Sequence, residues 1–213
     1  MTSQFILHGL SFSGPTYKVG LMLRLCQQAF SYRHVDLRSG IHKAPSFLKL
    51  NRYGQVPVLQ HGDLVLCQSN AILEYLSETL VKFGGRTPQD RAHVREWLFW
   101  DFEKLSLGIF RTRSHVRGFR PMDAAVASNF RDLALSSLSE LDKNLLGKNF
   151  LVGSQPTIAD IACYGVIVFA EEAQLDLTNY PCVKAWMDRM ASLPGWKLPY
   201  DLLPQTDAIS VAA

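Results

Sequence analysis

The chain has 213 residues, 47% of them hydrophobic and 19% charged, with a formal net charge of +3. This supplies core material for one or two domains and excludes a disordered chain. The small basic excess, with no Lys/Arg run, excludes a nucleic-acid-binding surface. Apolar runs such as residues 161–170 are too short and mixed to span a bilayer. Residues 1–12 lack the basic start, long apolar core and cleavage site of a leader, so a cytoplasmic protein is expected. Cys26, Cys67, Cys163 and Cys182 stand singly, which points to reduced, mostly buried thiols rather than a zinc site or disulfide scaffold. Residues 1–80 carry seven basic and four acidic side chains, so the positive excess falls in the first part of the chain, where it suits a small anion.

In chain order, residues 4–8 form a short apolar strand, and Pro15 opens a helix through Val19, Met22, Leu23 and Cys26. A second strand covers 32–37. The polar loop 38–43 leads to a short helix around Phe47, Leu48 and Leu50. Two strands follow, Val56-Pro57-Val58-Leu59 and Leu64-Val65-Leu66-Cys67, joined by the turn His61-Gly62-Asp63. Ser69 precedes apolar residues at helical spacing (Ile72, Leu73, Leu76), the place of an N-cap for a helix reaching residue 80. A parallel pair bridged by a helix, then a hairpin and a closing helix, implies a four-stranded mixed sheet with helices on its faces. Past residues 82–85 no strand pattern recurs and helical repeats begin at Pro88. The expected division is a first domain at 1–82, a linker at 83–87 and an all-helical second domain at 88–213. Its helices cover a run from Pro88 crowded by Trp97, Phe99, Trp100 and Phe102, then 122–146 ended by Gly147, 157–173 and 181–192, with 205–213 a frayed tail.

Two features mark a ligand site made of backbone. Pro57 cannot donate to a ladder, so it belongs at a strand start or tight turn, where a cis bond is allowed, and the peptide before it is free for another partner. The helix start at Ser69 attracts a carboxylate. An extended peptide and a carboxylate would bind there side by side.

Four features in order carry a resemblance that spans essentially the whole chain: the hydroxyl-bearing loop Ser11-Phe12-Ser13-Gly14-Pro15-Thr16, the Val56-Pro57 turn, the Gln68-Ser69 pair, and Thr157-Ile158-Ala159-Asp160 after Pro156. The chain resembles the cytosolic glutathione S-transferase family, and the spacing of Ser13 with Pro15 and of Gly40-Ile41-His42-Lys43 is similar to the bacterial, theta-like or related branches. The resemblance implies an α+β thioredoxin-like first domain and an all-α helical-bundle second domain. The positions matching a redox Cys-x-x-Cys are Ser13-Gly14-Pro15-Thr16, so dithiol exchange there is excluded.

By this resemblance, Ser13 holds the thiol of glutathione as thiolate, donating a hydrogen bond beside the positive helix end; Ser11 and Thr16 are its rivals. Lowering a thiol pKa from about 8.5 by roughly two units takes roughly 3 kcal/mol, within reach of one charge-assisted bond plus a helix end. Ser69 would hold the γ-glutamyl carboxylate and Gln68 the ammonium, although a neutral Gln stands where theta-like relatives usually have an acid. Val56 would pair with the cysteinyl backbone like an added strand, and Gln55 would reach a polar end. His42 and Lys43 resemble residues meeting the glycyl carboxylate, with Arg52 a weaker candidate and plain solvated loop residues the alternative. No metal is expected, since none of His42, His61, His93 and His115 has a second histidine or cysteine at i+3 or i+4.

Thr157 and Asp160 have the spacing of a capping box, a folding element for which Asp160→Ala is expected to cost about 1 to 2 kcal/mol. A hydrophobic-electrophile pocket is expected between the domains, drawing on residues 10–12 and on Trp100, Leu105, Phe110, Arg111 and Arg113; Asp101 is a candidate for a homodimer contact. The implied function is a glutathione transferase acting on a small hydrophobic electrophile, with a glutathione-dependent isomerase, dehalogenase or peroxidase, or a non-catalytic binding or stress-adaptor protein, as alternatives.

Overall fold

The computed structural model describes residues 4–211 and divides the chain into two compact units, one holding residues up to Lys82 together with those from Leu193 onward, the other running Phe83–Ser192. The helical unit thus begins before the expected 88 and ends before the expected 213.

The first unit is built on a mixed sheet in the order β4-β3-β1-β2-β5. β1 (Phe5–Gly9) pairs parallel with β2 (Phe30–His34) through α1 (Gly14–Leu25), and antiparallel with β3 (Val58–His61). β3 and β4 (Leu64–Cys67) form the expected hairpin, with Gly62 in the left-handed conformation at its turn. Between β2 and β3 lie a turn of 3₁₀ helix at Ile41–Lys43 and the short helix α2 (Pro45–Leu48). On one face of the sheet Val58 packs with Val35 and Phe47 in a buried cluster joined by Val56 and Cys67. α3 (Ser69–Leu80) buries Ile72, Leu73 and Leu76 at the spacing read from sequence.

Two expectations are corrected here. The sheet has five strands rather than four, because residues read as a frayed tail form β5 (Ala208–Val211), antiparallel to β2. Side chains fasten it: Asp207 Oδ1 accepts from the His34 amide at 2.7 Å, and Ser31 Oγ donates to the Ile209 carbonyl at 2.5 Å. The last two residues of the expected tail lie outside the described residues. Ser69 is also not the N-cap of α3. That position falls to Gln68, whose φ of 69° and ψ of 111° turn the chain out of β4, and no side chain caps the helix.

In the helical unit α4 (Pro88–Trp100) passes through a π-helical turn at Asp101–Leu105 into α5 (Ser106–Val116). α6 (Ala124–Leu145) crosses α5 so closely that a Cβ at Gly108 would come within 2.7 Å of the Ala134 backbone. α7 (Ile158–Ile167) is buried along its whole length, which is why a single apolar run covers it. The helix expected to continue to residue 173 stops at Ile167, and a 3₁₀ turn follows at Glu171–Ala173. α8 (Pro181–Ala191) completes this unit, and α9 (Pro199–Leu202) lies in the returning segment of the first. Among the described residues no helix is long and apolar enough to cross a membrane.

Candidate active site

The strand register gathers the predicted residues. His8 of β1 stands opposite Val58, and Val58 opposite Cys67. The end of β1, the start of β3 and the end of β4 therefore share one end of the sheet. The loop to Ser13 leaves from the first, the Val56-Pro57 turn enters the second, and Gln68-Ser69 leaves from the third, a row about 10 Å wide across two strand spacings. Gly9 also stands opposite His34, so the chain toward His42 and Lys43 departs from the same end.

Ser13 is the N-cap of α1, its hydroxyl oxygen accepting from the Thr16 amide at 3.3 Å while its own amide donates to the Leu10 carbonyl at 2.9 Å. Among the described residues no acceptor is recorded for its hydroxyl proton, and the side chain is partly exposed. The two rivals are packed away: Ser11 is buried, and Thr16 is fully buried with its hydroxyl oxygen accepting from the Leu10 amide. A Cβ at Gly9 would collide with the Thr16 side chain, so Thr16 seals the loop against the strand. The remaining members of the cap are the amides of a helix N-terminus, whose dipole favours an anion.

The Val56–Pro57 bond is cis. Among the described residues no hydrogen bond uses the Val56 N–H or C=O, and the ladders begin only at Val58. The turn is held from behind by Asn51, a buried residue the sequence reading passed over: its Nδ2 donates to the Gln55 carbonyl at 2.7 Å and its Oδ1 accepts from the Tyr53 amide at 3.0 Å. An Asn four residues before a strand-opening turn was the available signal. The Gln55 side chain is exposed.

Gln68 is exposed and Ser69 partly so, the Ser69 hydroxyl making no hydrogen bond among the described residues. A non-glycine residue at positive φ costs on the order of 1–3 kcal/mol and is kept where surroundings impose it. Lys43 lies over the 53–54 turn, its Nζ 3.3 Å from the Gly54 carbonyl, and His42 has a buried Nδ1 without a partner among the described residues. Arg52 is turned to Tyr53, donating to its hydroxyl at 2.7 Å with the guanidinium over the ring. Cys67, next to Gln68, points away, its Sγ donating to the Leu50 carbonyl, and burial pushes its thiol pKa up. Burial also pushes Cys26 up to about 11, so neither is a ready nucleophile.

In the helical unit several expected pocket residues serve packing. Arg113 is buried, donating to Glu172 from Nε at 3.1 Å and Nη2 at 3.0 Å with its guanidinium over the Phe169 ring, and Arg117 shares the same carboxylate. Leu105 is fully buried, and Asp101, also fully buried, accepts from the Ser106 hydroxyl at 2.9 Å. Arg111 is exposed. The aromatic cluster divides: Trp97 and Trp100 pack edge-to-face, whereas Phe99 and Phe102 are exposed. His93 pairs at the surface with Glu96.

A thioredoxin-like unit with one end of its sheet left open, followed by a helical unit, defines the class. Residues 6–78 match the glutathione S-transferase N-terminal domain family and residues 111–194 the C-terminal domain family. The chain belongs to the glutathione S-transferase family, whose co-substrate is glutathione. It is 46% identical over 204 residues to Glutathione S-transferase 1 of Dianthus caryophyllus, covering 88% of this chain and 87% of that protein. It is 29% identical over 186 residues to the Disulfide-bond oxidoreductase YfcG of Escherichia coli K12, covering 84% and 86%. A solved structure described as a possible glutathione S-transferase from Rhodopseudomonas palustris superposes with a TM-score of 0.88 at 30% identity, covering 95% of this chain and 92% of that one.

Proposed function

We propose that this chain is a glutathione transferase that binds glutathione along the open end of the sheet and holds its sulfur as thiolate at Ser13 for attack on a small hydrophobic electrophile. The observation that carries this reading is the alignment, on three neighbouring strand ends, of a partly exposed cap hydroxyl, the Val56 N–H and C=O without hydrogen bonds among the described residues, and a helix start with no side-chain cap. A tripeptide would pair its central peptide with Val56, as an added strand, and set its γ-glutamyl carboxylate on Ser69 and the first amides of α3. Gln68 supports the ammonium, and Gln55, His42 and Lys43 lie toward the glycyl end.

The Ser13 hydroxyl donates to the sulfur while its oxygen stays on the Thr16 amide, so the α1 cap is kept as the thiol ionises. The thiolate forms the new bond to the electrophile, either expelling a leaving group that carries off the electrons of the broken bond or, in an addition, pushing an electron pair onto a neighbouring atom of the electrophile that then takes a proton from water, and placing the two reactants together supplies the rest of the acceleration. A second reading, attack of the same thiolate on a disulfide to form a mixed disulfide while the other sulfur leaves as a thiolate, is supported by the YfcG relative. Both work in a homodimeric cytoplasmic protein of the family's usual kind.

The test is a glutathione titration across pH read by the ultraviolet absorbance of the thiolate. Saturable binding with the thiol ionising well below its free value is expected. Absence of binding at millimolar glutathione would overturn the transferase in favour of an adaptor. Binding without a shift would leave a ligand-binding protein in which Ser13 does not activate sulfur.

A further inference from the structure

The segment that returns to the first unit grips the helix bearing Ser13. The Lys197 carbonyl accepts from the Tyr17 hydroxyl at 2.7 Å, and the Gly195 carbonyl accepts from Arg24 Nε at 3.2 Å. Between them, Leu202 and Leu203 close over Gly20, where a Cβ would come within 3.0 Å of Leu203 Cδ2. Residues 17, 20 and 24 form one stripe of α1, held along about 10 Å of its axis. Farther on, Asp207 pairs with Arg33 at 3.6 Å, and β5 fastens the end of the segment to β2.

Tyr17 joins this grip to the site. Its ring is fully buried, and its amide donates to the Ser13 carbonyl at 2.9 Å, closing the first turn of α1. One residue is therefore bonded to Ser13 through its backbone and to the returning segment through its side chain. A hydrogen bond from Ser13 weakens steeply with a few tenths of an ångström or a modest tilt, so the placement of α1 decides how well that hydroxyl meets a sulfur.

We infer that residues 195–211 act as a clamp that sets the position of α1, with Tyr17 the positioning residue that carries it to Ser13. This rests on the role proposed above for Ser13. The pull acts on one edge of the ligand row only: Val56 and Ser69 belong to other elements, with no hydrogen bond to the returning segment among the described residues.

The experiment repeats the thiolate titration on the full chain, on Tyr17→Phe, which removes a single hydroxyl, and on a chain ending at Leu203. In Tyr17→Phe the bound thiol's pKa rises by about half a unit, roughly a threefold loss of thiolate at pH values below it. The shortened chain shows the same direction, and glutathione affinity measured at a pH below the bound thiol's pKa, where the thiol binds un-ionised, changes by less than about twofold in both. A merely structural contact would lower the melting temperature and leave the bound thiol's pKa where it was. An unshifted pKa in folded Tyr17→Phe overturns the clamp, as does a loss of affinity without a shift; where the shortened chain does not fold, Tyr17→Phe decides alone. A full chain that ionises no glutathione overturns the Ser13 reading itself, an outcome distinct from a working full chain with unaltered variants.

Discussion

The start of α3 and the start of α7 are the same kind of structure put to opposite uses. At α7, Thr157 and Asp160 close a complete capping box inside the protein: the Asp160 carboxylate accepts from the Leu151 amide, the Thr157 amide, the Thr157 hydroxyl and Trp186 Nε1, at 2.8 to 3.1 Å. At α3, Gln68 bends the chain through positive φ, and among the described residues no side chain caps the helix and the hydroxyl of the partly exposed Ser69 makes no hydrogen bond. Every helix N-terminus leaves amides that need partners. Where the protein supplies them all, the element is a joint. Where it withholds them beside another open peptide, the element is the place proposed for a ligand.

The largest expected effect comes from the closed end. Asp160→Ala orphans the Leu151 and Thr157 amides and the Trp186 indole in a fully buried setting. A loss of about 3 to 4 kcal/mol by urea unfolding is expected, more than the capping bond alone would give. Glutathione affinity of the remaining folded protein should be unchanged; a selective loss of affinity at normal stability would erase the distinction between the two helix starts. Next comes Ser13→Ala, which should raise the bound thiol's pKa by about 1.5 units, about 2 kcal/mol, while costing stability only about 0.5 to 1 kcal/mol for the lost cap. An unchanged pKa would move the role to Ser11 or Thr16 against their burial.

Ser69→Ala sharpens the contrast at the open end. Because the hydroxyl has no partner among the described residues, stability should hold within about 0.5 kcal/mol, while glutathione binding weakens about tenfold, about 1.4 kcal/mol. Equal losses of stability and affinity would mean that Ser69 is an ordinary structural residue.

What could be read from the sequence was local. The hairpin at Gly62, the Pro57 turn, the helix starting near Pro15 and the Thr157 to Asp160 spacing each follow from a few neighbouring residues with fixed conformational habits. The missed features depend on distant partners. β5 is four residues of Ala, Ile, Ser and Val, too short to stand out, and exists because Asp207 and Ser31 tie it to β2 across more than 170 residues. Arg113 looked available to a substrate until Glu172, 59 residues away, took its guanidinium. Ser69 seemed the natural cap because nothing in the sequence reports that Gln68 adopts positive φ. The site residues themselves were placed by family resemblance; the register explains why residues 13, 56 and 69, so far apart in the chain, meet at one end of a sheet.

The smallest effect distinguishes two closed ends from each other. Thr87 and Asp90 make the same box at the start of α4 as Thr157 and Asp160 do at α7, but in solvent. Hydrogen bonds from the Thr87 amide and hydroxyl hold the Asp90 carboxyl below its ordinary value of 3.8. Burial pushes the Asp160 carboxyl above that value despite its four donors. The signs of the pH dependence are therefore opposite. For Asp90 the unfolded chain binds the proton more readily, so its stabilisation is present above pH 3.8 and fades as the pH falls through the lower folded value. For Asp160 the folded chain binds the proton more readily, so stability declines as the pH rises from 3.8 through the higher folded value. Urea midpoints measured from pH 3 to 6 and subtracted from those of Asp90→Asn and Asp160→Asn should give slopes of opposite sign. Slopes of the same sign would mean that hydrogen bonding, rather than exposure to water, governs both carboxylates, and that the buried box is held by an ion as comfortable as the one at the surface.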